Sequence, residues 1–364
     1  MPTPPRAPPI PRPLSLPLAW LYGLVIARRN RRFDARKGVI EFDRPTISVG
    51  NLSVGGTGKT PMVMHVLNVL RAAGHSPAVA MRGYASAGGE SDEAGEYARA
   101  FPEVPVVAQP NRVEGLIKLF GAERGMKVDA IVLDDGFQHR RVWRDLDIVL
   151  VDATRDPFAD ALLPAGWLRE PVASLKRAGA VVITHAECVD ESRVRELSTS
   201  IAEVSPHALV AVCEHAWTGL SVVESGAERD EPVAWLRGKA VLAACAIGNP
   251  DAFISQVAGA AGRQPAGVIT LRDHDPFREP VVRRIIEKAR EIPAAAVVVT
   301  EKDWSKLRHV PADRWPCAVV RPRLEMRFRS GGPGVDALIL ERVRARPHEP
   351  GEVFDGDHEP APTP

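Results

Sequence analysis

A mostly parallel α/β sheet with helices on both faces, followed by a smaller α/β unit, is the fold class this sequence predicts. Three observations carry that expectation. Short β-branched runs alternate with helix-forming stretches through the first half, a glycine-rich turn joins the first of these runs to a helix, and the pattern changes between residues 207 and 236. Near-continuous apolar strands separated by helices belong to sheets buried on both faces.

The strands of the first half read as 46–51 (TISVGN), 76–83 (SPAVAMRG), 128–136 (VDAIVLDDG), 146–153 (LDIVLVDA) and 178–186 (AGAVVITHA). Each is bounded by Gly, Asp or Asn, and most precede a helical segment. Residues 207–236 are strand-like with polar breaks and read as a connecting ribbon. A second unit follows, with strands at 239–249, 266–274 and 294–303, helices near 250–262 and 278–291, and a last strand at 317–326. The expected organisation is a Pro-rich tail (1–13), an N-terminal helix (14–34), a core domain (35–212), a linker ribbon (213–236), a smaller α/β domain (237–330) and a mostly disordered C-terminal tail (331–364). Both ends are dense in proline, which removes amide donors and fixes φ.

Composition narrows the function classes. Lys plus Arg (47) nearly balance Asp plus Glu (46), a formal net charge of +1, so no overall field draws nucleic acid or an anionic membrane. The cysteines, Cys188, Cys213, Cys245 and Cys317, lie far apart with no C-x-x-C and no nearby histidine pair, which argues against both a zinc site and a disulfide framework and fits a reducing cytosol. The uncharged run Leu18 to Ala27 is far shorter than the ~20 residues that span a bilayer. Its aromatic residues Trp20 and Tyr22 and the following Arg28, Arg29, Arg31 and Arg32 fit a helix lying in a membrane interface. A core-packing helix with a solvated basic end fits the same residues.

The turn is the strongest single signal. Residues 48–63, SVGNLSVGGTGKTPMV, place Ser53, Val54, Gly55, Gly56, Thr57, Gly58, Lys59 and Thr60 between a strand and a helix, the context of a phosphate-binding loop. The glycines let backbone amides converge on phosphate oxygens, and the helix N-terminus adds partial positive charge. Lys59 reaches the β- and γ-phosphates in such loops, and Thr60 ligates Mg²⁺. The leading glycine of the usual pattern is Ser53 here, which is tolerable if its φ stays negative. Asp134 and Asp135, at the end of a neighbouring apolar strand, are the carboxylates for the metal; as adjacent acids they also suit a turn or a helix cap. The lysine that opens K-G-G-x-G-K-[ST] in membrane-bound switch ATPases is replaced by Val54, which disfavours that class.

Taken with RGY, SDE, LDDGFQHRR, LLPAGWLREP, LRDHDPF and TEKDWSKL in this order, the loop resembles the tetraacyldisaccharide 4'-kinase family of lipid A biosynthesis, from about Trp20 to Met326. The resemblance implies a phosphate-loop NTPase-like core, ATP and Mg²⁺ as cofactors, and γ-phosphate transfer to the 4'-hydroxyl of a tetraacyl glucosamine disaccharide 1-phosphate. It also implies a monomer held peripherally on the cytoplasmic side of the bacterial inner membrane, and so favours the interfacial reading of the N-terminal helix. It points to Asp92 paired with His274 as the base, one residue from each domain. Arg169 stabilises the transferring group or pairs with Glu170 on the surface. Gln138 and His139 face the phosphates or the sugar, or bond within their own loop. Arg112 reaches the acceptor's 1-phosphate or the nucleotide, or only starts a helix. Lys302 and Asp303 touch the nucleotide or form a turn. Two other functions fit the loop: a hydrolase driving assembly or transport, and a nucleotide-responsive binding module without turnover.

Overall fold

Twelve strands form one continuous sheet in the computed structural model, which describes residues 12–83, 92–273 and 275–346. The first parallel block contains β1 (Thr46–Asn51), β2 (Pro77–Met81), β3 (Val106–Ala108), β4 (Ala130–Asp134), β5 (Leu146–Asp152) and β6 (Ala180–Thr184). The long β7 (Leu209–Glu224) and short β8 (Ala227–Glu231) follow, then β9 (Val241–Cys245), β10 (Gly267–Thr270), β11 (Ala296–Val298) and the long β12 (Ala318–Ser330). In space the order is β10-β9-β11-β12-β7-β6-β5-β1-β4-β2-β3, with β8 on the edge of β7. Strands β2, β3 and β4 lie on one side of β1 and β5, β6 and β7 on the other. The end of β1 is thus a topological switch point, the place where open α/β sheets bind ligands.

The helices are α1 (Arg12–Asp34), α2 (Lys59–Ala72), α3 (Asp92–Ala100), α4 (Arg112–Phe120), α5 (Glu191–Val204), α6 (Pro250–Ala261), α7 (Glu279–Glu291), α8 (Glu301–Leu307) and α9 (Gly332–Arg344). One face of the first block packs against α2, α3 and α9 through Val66, Leu70, Tyr97 and Ile339. The other face packs against α5 through Val194, Leu197 and Ile201. Strands buried on both faces explain why their sequences are apolar without alternation: all residues of β1, β4 and β5 are buried.

The expected linker ribbon is part of the sheet. Leu209 to Val212 of β7 pair in parallel with β6, and from Val212 onward β7 pairs antiparallel with β12. The β11–β12 pairing is parallel over Ala318 to Val320, so β7 and β12 together join the two parallel blocks.

The expected disordered tail from residue 331 needs a correction. Gly332–Arg344 is a helix, with Gly331 at φ 77 before it and Pro333 in its first turn. Val335, Ile339 and Val343, spaced four apart, are 0%, 0% and 2% exposed against α2 and the sheet. His65 of α2 meets Asp336 at 2.7 Å across the same contact. Burial of one apolar stripe fixes this segment despite its three glycines and proline. Residues 1–11 and 347–364 lie outside the described residues.

Replacing Ile339 with Ala is expected to lower stability by about 2–5 kcal/mol, because it opens a cavity in a filled core. Urea unfolding measures this; a loss within about 0.5 kcal/mol, as at an exposed site, would show that α9 does not close the core in solution.

Candidate active site

The glycine-rich turn leaves β1 beside a second segment that runs antiparallel to it. Val54 N–H donates to the Trp167 carbonyl at 2.9 Å, Arg169 N–H donates to the Leu52 carbonyl at 2.7 Å, and Ser53 bridges Leu168. Ser53 therefore occupies strand-like backbone and is not among the positive-φ residues, so it needs no glycine. The left-handed positions fall on Gly55 (φ 122) and Gly58 (φ 82), and Gly58 is the residue before α2. Inside the turn, the Asn51 amide donates to Thr57 Oγ1 at 2.8 Å and Thr184 Oγ1 donates to the Thr57 carbonyl at 3.0 Å.

Asp135 follows β4 in a left-handed conformation, φ 49, and its carboxylate collects the site's cations. Arg169 Nη1 donates to both carboxylate oxygens at 2.9 and 2.7 Å, and Lys59 Nζ stands 3.6 Å from Oδ1. Arg112, 2% exposed, donates to the Asp135 carbonyl at 3.1 Å. Burial pushes the Asp135 carboxyl upward, but the charges of Lys59, Arg169 and Arg112 prevail and hold it below the ordinary carboxylate range. Its stabilising contribution is therefore complete above the unfolded-state value and is lost as pH falls through the folded one. Next to it, Asp134 is buried and accepts from the Tyr97 hydroxyl at 3.0 Å.

Val54 to Thr60, Asp134, Asp135 and Arg169 line a single cavity of about 1120 Å³, at the upper end of ligand-site sizes. Its opposite wall comes from β7 and the second block and includes Trp217, Asn249, Phe253 and Lys302. Ser53, Arg112, Gln138 and His139 do not line it. Gln138 Nε2 donates to the Asn51 carbonyl at 2.8 Å, bracing β1. Burial and the charges of Arg112, Arg144, Arg141 and Arg82 push His139 down to about 4, so it is neutral at neutral pH. Asp303 is fully buried: Thr300, the N-cap of α8, accepts from its N–H at 3.1 Å and donates to its carboxylate at 2.7 Å, and that carboxylate also accepts from Ala246 N–H at 3.2 Å, while Lys302 beside it reaches Asp273 at 3.7 Å. The backbone of Asp92 opens α3; its side chain, and the whole of His274, lie outside the described residues.

Glu170 does not pair with Arg169. Its carboxylate is fully buried and accepts from Asn30 (2.9 Å), Ser174 (2.9 Å) and Arg177 (3.0 Å), with Arg29 at 3.4 Å. Tyr22 of α1 donates to the Arg169 carbonyl at 2.8 Å. The N-terminal helix is thereby fastened to the segment that carries Arg169.

The sequence did not announce Arg155, Asn249, His185 or His215. Arg155 donates to the carbonyls of Val54 (3.0 Å) and Gly248 (2.8 Å), joining the turn to the second block. Asn249 caps α6 and donates to Asp152 at 2.9 Å. Neither carries a spacing signature, because its partners are about a hundred residues away.

Residues 12–344 match the family described as Tetraacyldisaccharide-1-P 4'-kinase. The chain belongs to this family. Relatives named tetraacyldisaccharide 4'-kinase include one from Chlorobaculum tepidum, 33% identical over 81% of this chain and 86% of that one. Another, from Geobacter metallireducens, is 35% identical over 79% of this chain and 86% of that one. Among solved structures, LpxK from Aquifex aeolicus in complex with ATP is similar at a TM-score of 0.63 and 26% identity, covering 90% of this chain and 98% of that one. The kinase family and the α/β phosphate-loop fold both agree with the sequence reading.

Replacing Glu170 with Ala is expected to cost about 3 kcal/mol or more, since it strands the Arg177 guanidinium and cuts the ties to α1. Limited proteolysis between residues 14 and 34 should accelerate alongside; an unchanged digestion rate would show that these bonds do not hold the helix down.

Proposed function

We propose that the chain transfers the γ-phosphate of ATP to the 4'-hydroxyl of a tetraacyl glucosamine disaccharide 1-phosphate, and works as a monomer on the cytoplasmic face of the bacterial inner membrane. The observation that carries this reading is the convergence of a complete phosphate loop with Lys59, Arg169 and two strand-end carboxylates on one large cavity, in a chain of this kinase family.

Phosphoryl transfer requires neutralised phosphate charge, an in-line hydroxyl and a late proton acceptor. The amides of Gly55 to Thr60 and the N-terminus of α2 cradle the phosphates. Lys59 exchanges the Asp135 carboxylate for the β- and γ-phosphates, and Arg169 donates to the group in transfer. The hydroxyl of Thr60 and the carboxylates of Asp134 and Asp135 are hard oxygen donors on one wall, a set that suits Mg²⁺. Thr60 with Asp134 or Asp135 would hold Mg²⁺, which supplies further charge neutralisation on the phosphates.

Asp92, oriented by His274, takes the proton of the sugar hydroxyl. Supporting this, Glu96, one helical turn beyond Asp92, and Asp273, adjacent to His274, both line the cavity from opposite blocks. A base assembled from two blocks is complete only around bound substrate, which limits wasteful hydrolysis.

The outer face of α1 exposes Leu18 (47%), Trp20 (65%), Leu21 (52%), Leu24 (48%) and Val25 (64%), while Ala19 and Ile26 pack inward. Among the described residues no helix is long and apolar enough to cross a membrane. A helix half-packed on protein and apolar outside suits the interface, where the acyl chains of the acceptor lie.

Labelled γ-phosphate should pass from Mg-ATP to the tetraacyl disaccharide 1-phosphate in detergent micelles, and release of free phosphate without lipid should be slower. Lys59→Ala is expected to abolish both nucleotide binding and transfer. Asp92→Ala and His274→Ala should lower transfer by about 10²–10⁴-fold while nucleotide still binds; full activity in Asp92→Ala would remove it as the base. Equal phosphate release with and without lipid would mean a hydrolase instead.

Leu21→Asp with Val25→Asp should reduce sedimentation with anionic liposomes without changing nucleotide binding. Undiminished sedimentation would place the membrane contact elsewhere.

A further inference from the structure

We propose that His185, Glu187 and His215 form a binding site for a divalent first-row transition ion, with zinc the ion its donors suit best, directly beneath the phosphate loop. Two pieces of the fold supply the three residues. His185 follows β6, Glu187 lies in the short turn Ala186–Cys188, and His215 projects from β7. One donor atom from each lies within 4.8 Å of the others.

The spacing is near that of coordination. His185 Nδ1 and His215 Nδ1 are 2.9 Å apart, and His185 Nδ1 is 3.5 Å from Glu187 Oε1. Donors held about 2.05 Å from one tetrahedral ion stand about 3.3–3.4 Å apart, so the His185–Glu187 pair is close to that separation and the two Nδ1 atoms, which share a proton without the ion, open by about half an ångström to admit it. His185 adopts a left-handed backbone, φ 56, that turns its ring toward His215. That conformation is strained for a side chain with a Cβ, and such strain gathers at binding sites.

His185 and His215 are 9% and 4% exposed, and two buried Nδ1 atoms 2.9 Å apart need a proton or a cation between them.

The carboxylate is held as a ligand's would be. Gln256 Nε2 donates to Glu187 Oε1 at 3.0 Å and to the His215 carbonyl at 2.7 Å, and the His215 N–H donates to Glu187 Oε2 at 3.1 Å. Trp217 Nε1 in turn fixes Gln256 at 2.8 Å. Outer-shell bonds of this kind orient first ligands and tune affinity. Two imidazoles and one carboxylate favour zinc or a similar ion over Mg²⁺, which prefers oxygen donors, so this set is chemically separate from Thr60, Asp134 and Asp135.

Both histidines line the large cavity, which gives an ion its path of entry. A Cβ on Gly58 would sit 2.6 Å from the His215 ring, so an ion held there braces the loop from behind.

The test uses the untagged full-length chain, stripped with chelator and titrated with zinc by calorimetry in excess Mg²⁺ and without nucleotide. One zinc per chain is expected. Glu187→Gln and His215→Gln should each weaken it by at least about 100-fold, and Gln256→Ala by about 10–100-fold. Circular dichroism and the urea midpoint without zinc verify that each variant folds. X-ray absorption at the zinc edge of the unsubstituted protein should show two imidazole nitrogens with oxygen, a readout that stands even if a variant fails to fold. Absence of stoichiometric binding, affinities unmoved in folded variants, or a sulfur-dominated spectrum would each overturn the site.

Discussion

The phosphate loop is packed so tightly that its backbone leaves room for no side chain at two of its glycines, and the rest of the site is arranged around that contact. A Cβ on Gly55 would stand 2.7 Å from the Arg155 guanidinium, and one on Gly58 would stand 2.6 Å from His215. From the other side, a Cβ on Gly248 would come within 2.2 Å of the Gly56 nitrogen. The Arg155 guanidinium could shift, but Gly55 and Gly58 hold positive φ and Gly248 meets backbone, so each of these places favours glycine. Backbone of the second block thus meets backbone of the loop, and Arg155 bonds carbonyls on both sides of that seam. Gly56 and Gly248, far apart in sequence, meet at the glycine-rich turn.

Charge follows the same geometry. Asp135, half-buried, would be a costly anion without partners, and Lys59, Arg169 and Arg112 supply them. The arrangement keeps two cations poised on one carboxylate at the mouth of the loop. Arg169 is positioned from behind as well: its amide joins β1, its carbonyl accepts from Tyr22, and its neighbour Glu170 bonds Asn30. A disturbance of α1 therefore reaches Arg169 through a few hydrogen bonds. That connection ties the exposed apolar face of α1 to the segment whose Arg169 side chain lines the cavity.

Much of this was legible in the sequence because it is local. The run TISVGN is β1 to the residue, and Gly-Lys-Thr at a strand-to-helix junction marks the loop without any tertiary knowledge. Asp134 and Asp135 were readable from their place at a strand end. What escaped depends on partners remote in sequence. Helix α9 was hidden by Gly331, Gly332, Pro333 and Gly334, although Val335, Ile339 and Val343 keep a four-residue spacing. Asp303 reads as a candidate site residue, yet a Thr-x-x-Asp pattern at 300–303 is also an N-cap, and the structure shows the cap. In the His185–Glu187–His215 cluster the sequence offers only the pair His185-x-Glu187, since His215 arrives from another strand.

The boundary between the blocks is the place where sequence logic was least informative and topology most. One strand cannot reveal that it changes partners part-way. The first four residues of β7 continue the parallel sheet, and the rest pair antiparallel with β12, whose own start belongs to the second block. The ladder between them is regular except for register shifts between Arg323 and Leu324 and between Phe328 and Ser330. Bulges bend a strand and increase its local twist. The first shift falls within Pro322 to Met326, the stretch of β12 that lines the cavity. A change of twist at that point alters the angle between the blocks and the shape of the cavity wall together, because both are the same five residues of one strand.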